Sequence, residues 1–115
     1  MSKIIEFRHT MHMYPEGELR EFETQKRIKE ALLSFGIEES AIKVSGGSGF
    51  VVDLHGFKEG NLDAQTKIIA LRADIDGLKM PEDNPDLPYR SKTQYAHMCG
   101  HDGHTATLVL AAWII

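Results

Sequence analysis

The chain has 115 residues, a formal net charge of −4 and 42% hydrophobic residues, the proportions of one ordinary globular domain. Its acidic and basic residues are interspersed, which excludes the basic stripe of a nucleic-acid binder and the acidic tail of a disordered segment. A single cysteine excludes an internal disulfide framework, the first residues lack a signal-peptide core, and the C-terminal apolar run is far short of the ~20 residues that cross a bilayer; no membrane partner is expected and a cytoplasmic location is the default.

In chain order, Ile4, Ile5, Phe7, Arg8, Met11 and His12 predict a short amphipathic helix that must stop before Pro15. A turn over 13–17 follows. Phe22, Ile28, Ala31, Leu32 and Phe35 recur at helical spacing and predict a second helix over 21–35, with Gly36 as its cap and Lys26, Arg27, Lys29 and Glu30 as its solvated face. Ile42-Lys43-Val44 and residues 50–54 read as two strands about a tight glycine turn over 46–49. That turn is no phosphate loop, because it lacks the Lys-Ser/Thr pair and leads into a strand. Residues 56–65 read as a polar loop, and His55 at its edge as a solvated histidine.

Residues 67–74 hold the unbroken aliphatic run Ile68-Ile69-Ala70-Leu71, which predicts a buried central strand with both faces covered. It ends in Asp74-Ile75-Asp76, at the edge where open α/β sheets place their chemistry. Either aspartate alone would as simply cap a turn or pair with Arg72; two of them ahead of a Cys/His cluster favour a chemical role for at least one. Three prolines make 81–88 a rigid loop.

The cluster is residues 95–104, Tyr-Ala-His-Met-Cys-Gly-His-Asp-Gly-His. In extended backbone Cys99 and His101 leave the same face, so that a thiolate and an imidazole can meet one ion. Gly100 and Gly103 allow sharp turns or close approach. Asp102 is placed to accept a proton from a ligating imidazole. The apolar run 108–115 then predicts a buried helix whose positive N-terminal end faces the cluster. That run ends at Trp113-Ile114-Ile115 without a closing Gly, Asn, Lys or Arg, and reads as part of a longer domain.

Taken in order, Arg8 to Glu16, Phe22-Glu23-Thr24, Leu71 to Leu78 with Glu82, Tyr89-Arg90-Ser91 and Cys99 to Thr105 resemble the N-terminal part of the metal-dependent amidohydrolases of the aminoacylase and carboxypeptidase group, which includes hippurate, N-acyl-amino-acid and indole-3-acetyl-amino-acid hydrolases. The resemblance implies an α/β fold: the N-terminal part, residues 1–115, of a three-layer metallopeptidase-like catalytic domain with a mostly parallel central sheet, truncated before a smaller dimerisation domain. It implies a hydrolase that cleaves the amide bond of N-acyl amino acids or related peptides with a metal-activated water. The cofactor would be a divalent metal, zinc or manganese, with two ions in the complete site, and the assembly often a homodimer. Cys99 and His101 match the first two metal ligands. Asp76 matches the catalytic-site aspartate held beside a ligand. His104 belongs to the motif without a ligand role, and Lys79 stands where the family usually has proline. The Glu-Glu pair that supplies the base and the later ligands would lie downstream, so this chain is expected to carry part of a site. The rival readings are a closed structural metal site, a cysteine hydrolase built on Cys99 with His101 or His104, and a non-catalytic truncated product that binds metal weakly.

Overall fold

The computed structural model describes residues 2–56 and 68–115. Helix α1 (Ser2–Met13) ends two residues before Pro15, as the proline requires. Helix α2 (Phe22–Ser34) buries Thr24, Ile28 and Leu32, one stripe at i, i+4 and i+8. The sequence pattern put Phe22 on that stripe; instead Phe22 is exposed and Thr24 takes the place. The first turn of α2 is capped by Glu16, whose carboxylate accepts from the backbone N–H of Thr24 at 2.6 Å. Its last turn closes as a Schellman motif, with Gly36 N–H donating to Leu33 O and Ile37 N–H to Leu32 O.

After a short 3₁₀ turn (Glu39–Ala41), strands β1 (Ile42–Ser45) and β2 (Gly49–Val52) pair antiparallel, Ile42 opposite Val52 and Ser45 opposite Gly49. The Gln25 side chain ties this hairpin to α2 by donating to the carbonyls of Gly47 and Gly49. Helix α3 (His101–Ile114) completes the set. Met11, Ile28, Leu32 and Val109 form the buried core where the three helices meet, and Phe7, Phe35, Ile42, Phe50, Val52 and Ile75 pack around it. Each of these elements contributes an apolar face that it could not bury alone.

Two expectations are corrected. Residues 68–74 are extended but pair with no strand among the described residues, and Ile68 and Ile69 are 93% and 83% exposed. A continuous aliphatic run is a strand only where neighbours supply both ladders and both covers; here the hairpin is the only sheet described. Lys67 lies outside the described residues, as does the expected loop from residue 57 onward. The C-terminal helix starts seven residues earlier than the apolar run suggested, and its last residues Trp113, Ile114 and Ile115 are exposed rather than buried.

The segment that ends in Asp76 is nevertheless held firmly. Ile75 packs on the core, Gly77 N–H donates to Glu16 O at 2.6 Å, and Leu78 and Ala96 exchange backbone hydrogen bonds at 2.9 and 2.8 Å. Gly17 lies against it so closely that a Cβ there would sit 2.8 Å from the Gly77 carbonyl oxygen and 2.8 Å from Tyr95 Cε1. Gly17→Ala is therefore expected to cost about 1–3 kcal/mol in urea unfolding, because a backbone carbonyl must move to admit the methyl. A loss too small to measure would show that the segment after Asp76 shifts freely.

Candidate metal centre

Gly100 is the N-cap of α3 and adopts φ +76°, a left-handed conformation that strains any residue with a Cβ. This turns the chain sharply, so His101 is the first residue of the helix and the extended geometry expected for Cys99-Gly100-His101 is not adopted. Cys99 stands outside the helix with an exposed, free thiol. No hydrogen bond joins it to His101 or His104 among the described residues, which removes the activated pair that a cysteine hydrolase requires.

His101 meets the aspartates at the end of the 68–76 segment. Its Nδ1 lies 2.9 Å from Asp76 Oδ1 and 3.0 Å from Asp76 O. Both oxygens only accept, so Nδ1 carries a proton and donates, which makes Nε2 the ring nitrogen that can offer a lone pair. That is the tautomer and the bracing of a metal-ligating histidine. Nε2 lies 3.9 Å from Asp74 Oδ2. Asp74 also pairs with Arg72, and its carbonyl accepts from the buried Thr105 hydroxyl at 3.1 Å, which locks the segment to α3. His104, one turn on, is exposed, with its ring 5.7 Å from that of His101.

Asp102 does not brace His101. In a helix consecutive side chains diverge by about 100°, and Asp102 points inward, fully buried, to α1. Its Oδ2 accepts from Arg8 Nε at 2.9 Å and lies 2.9 Å from His12 Nδ1. The other ring nitrogen, His12 Nε2, lies 3.0 Å from Glu82 Oε1. Glu82 is buried too; its Oε2 accepts from Ser91 N–H at 2.6 Å and its carbonyl from the Arg90 guanidinium at 2.6 Å. Burial pushes both carboxyls up, but the opposing bonds win. The Ser91 N–H and His12 hold Glu82 below the usual carboxylate range, and His12 and Arg8 do the same for Asp102.

Buried His97 lies beside this network, its ring centroid 6.3 Å from that of His12. Burial pushes its pKa down against the pull of Asp102. Neither of its ring nitrogens, nor Asp102 Oδ1, has a partner among the described residues.

Of the predicted site residues, then, Asp76 and His101 are brought together, while Cys99 is adjacent in the chain without touching either. The buried network of Arg8, His12, Glu82 and Asp102 was missed, because its members are 70 to 94 positions apart. One signal existed: a histidine beside Met11 on the inward face of an amphipathic helix needs a buried partner.

The donors fit a soft divalent ion. One exposed thiol and one imidazole with a free Nε2 suit zinc, and the nearby Asp74 carboxylate would harden the set toward manganese. Among the described residues no three His, Cys, Asp or Glu side chains converge closely enough to hold an ion by themselves.

The profile of peptidase family M20/M25/M40 matches residues 70–115, which contain the aspartates and the whole cluster. The chain is 34% identical to the Bacillus subtilis YXEP protein, a dinuclear metal binding peptidase from the M20 family, and superposes on its crystal structure with a TM-score of 0.83 over 98% of this chain and 30% of that one. The chain is thus similar to M20 peptidases across the stretch that holds the aspartates and the cluster. Among curated relatives it is 41% identical to the N-acetyl-L-cysteine deacetylase of Bacillus subtilis, over 98% of this chain and 25% of that protein. It is 37% identical to thermostable carboxypeptidase 1 of Saccharolobus solfataricus, over 97% of this chain and 27% of that protein. The chain thus spans about a quarter of the length of the curated relatives it matches. No helix among its described residues is long and apolar enough to cross a membrane.

Proposed function

We propose that this chain is the N-terminal part of the catalytic domain of a metal-dependent hydrolase that cleaves the amide bond of N-acyl amino acids or related peptides. The observation that carries the reading is the 2.9 Å contact of Asp76 Oδ1 with His101 Nδ1, which turns Nε2 away from Asp76 and toward the Asp74 carboxylate at 3.9 Å, while the Cys99 thiol two residues earlier in the chain is free. Cys99 and His101 are the ligands, and Asp76 orients the second of them. A bound zinc or manganese lowers the pKa of a water to about 7 and polarises the scissile carbonyl. What this chain's own residues do is hold the donors: Gly100 sets the start of α3, Thr105 and Gly77 fix the aspartate segment, and Asp76 keeps the proton of His101 on Nδ1. The complete site takes two ions. In the complete catalytic domain the 68–74 segment, unpaired among the described residues, would be taken into a mostly parallel sheet, and a smaller dimerisation domain would lie outside residues 1–115. The substrate is a small soluble amide, and the protein works in the cytoplasm. The relatives named as a deacetylase and a carboxypeptidase support the choice of amide hydrolysis.

Cobalt(II) titration tests this. The protein is expected to develop a thiolate-to-cobalt charge-transfer band that Cys99→Ser abolishes, and Asp76→Asn is expected to weaken binding about 10–100-fold, the usual effect of removing a partner that orients a ligating histidine. No thiolate band in the unaltered protein would overturn the assignment. With no three donors converging among the described residues, residues 1–115 alone are expected to release no amino acid from acetyl- or benzoyl-amino acids; robust turnover would overturn the partial-site reading.

A further inference from the structure

We propose that His12 is a positioning residue for the candidate centre: an imidazolium that clasps the first turn of α3, which carries His101, to the loop that carries Glu82. The inference rests on the metal reading above for the role of His101, but the state of His12 follows from its own surroundings. Both ring nitrogens lie within 3.0 Å of carboxylate oxygens, Nδ1 facing Asp102 Oδ2 and Nε2 facing Glu82 Oε1. Ionised carboxylates only accept, and a neutral imidazole has one N–H to give, so satisfying both contacts requires protons on both nitrogens. The carboxylates themselves are held in the ionised form by other donors: Arg8 Nε on Asp102, and the Ser91 N–H on Glu82.

Every charged or titratable group that faces His12 fits this account. Asp102 on α3 and Glu82 on the proline loop are opposite charges; Arg8, on the same helix, shares Asp102; His97 lies with its ring tilted 6.3 Å away; and Tyr89 meets the ring edge-on at 5.4 Å. Two buried carboxylates are thus balanced by one guanidinium and one imidazolium. Without the charge on His12, Asp102 would keep only Arg8, whose side chain is 39% exposed, and Glu82 would keep only the Arg90 guanidinium, which bonds its backbone carbonyl and not its carboxylate.

The clasp reaches His101 through the backbone. Asp102 follows it directly in the first turn of α3, so pinning the Asp102 side chain to α1 fixes the rotation of that turn about the helix axis. The rotation in turn decides whether the His101 ring meets Asp76. The network and the candidate ligand are two faces of one helical turn, and His12 is the group on which the inward face is hung.

The test combines imidazole nitrogen NMR with cobalt(II) titration of the protein. In the unaltered protein at pH 7.5, both His12 nitrogens are expected to show attached protons and imidazolium shifts. His12→Gln, which retains one donor and one acceptor but no charge, is expected to keep its helical circular dichroism and to bind cobalt about 10-fold more weakly or worse. A His12 that is neutral, or a folded His12→Gln protein that binds cobalt as tightly as the parent, would overturn the proposal. If His12→Gln does not fold, Glu82→Gln decides: His12 Nε2 is expected to lose its proton and cobalt affinity to fall, and no change in either overturns the proposal. An unaltered protein that takes up no cobalt would overturn the metal reading and the positioning role with it. Equal uptake by parent and folded variant would overturn the positioning role alone.

Discussion

Asp102→Ala is expected to destabilise the fold by about 3–5 kcal/mol, the cost of leaving a buried charge without its partner. Asp102 is fully buried and meets two groups, Arg8, which is partly free, and His12, which is buried. Arg8 can turn toward solvent when its acceptor is lost; His12 has nowhere to go and retains only Glu82. Since a domain of this size has a total stability of about 5–15 kcal/mol, the variant should sit near its unfolding threshold. Urea unfolding followed by circular dichroism measures the difference. A loss below about 1 kcal/mol would mean that the network relaxes into water and holds nothing in place.

Acid should unfold the protein steeply, and through the same residues. Glu82 and Asp102 are both held below the ordinary carboxylate range in the fold, by the Ser91 N–H and His12 in one case and by His12 and Arg8 in the other. In the unfolded chain they take up protons near pH 4, as free carboxylates do. Between that pH and their lower folded values the unfolded state binds more protons than the native state, so stability is lost as pH falls. Above about pH 5 the contribution is complete and flat. Below it each carboxylate adds a slope of up to about 1.4 kcal/mol per pH unit. Glu82→Gln should start from a lower stability at neutral pH and show a shallower acid limb. Unfolding midpoints measured from pH 7 to pH 3 check both; parallel curves for parent and variant would remove Glu82 from the account.

What could be read in advance follows the range of the interaction. Helices α1 and α2 and the hairpin were legible because Pro15, Gly36 and the 46–49 glycines mark their ends, and because residues such as Ile28 and Leu32 repeat at the helical period. The resemblance singled out Asp76 and His101, and the two side chains are in hydrogen-bond contact. The geometry of Cys99 and His101 was not legible, because alternation in extended backbone assumed a φ that Gly100 does not adopt. Nor was the environment of 68–74, since an aliphatic run carries no statement of which neighbours cover it. Asp102 was assigned to the wrong histidine for a related reason: nearness along the chain favoured His101, while the helix turned it 100° away toward His12, 90 positions earlier.

The divergence of His101 and Asp102 within one helical turn has a consequence for anyone who would alter this protein. If the outward residue holds an ion as proposed, affinity for that ion rests on it and its aspartate brace, while thermal tolerance rests on the inward residue and the charges behind it. Adjacent codons would then govern separable traits, and changes at position 101 with position 102 held constant should alter cobalt uptake while leaving the unfolding midpoint nearly unchanged.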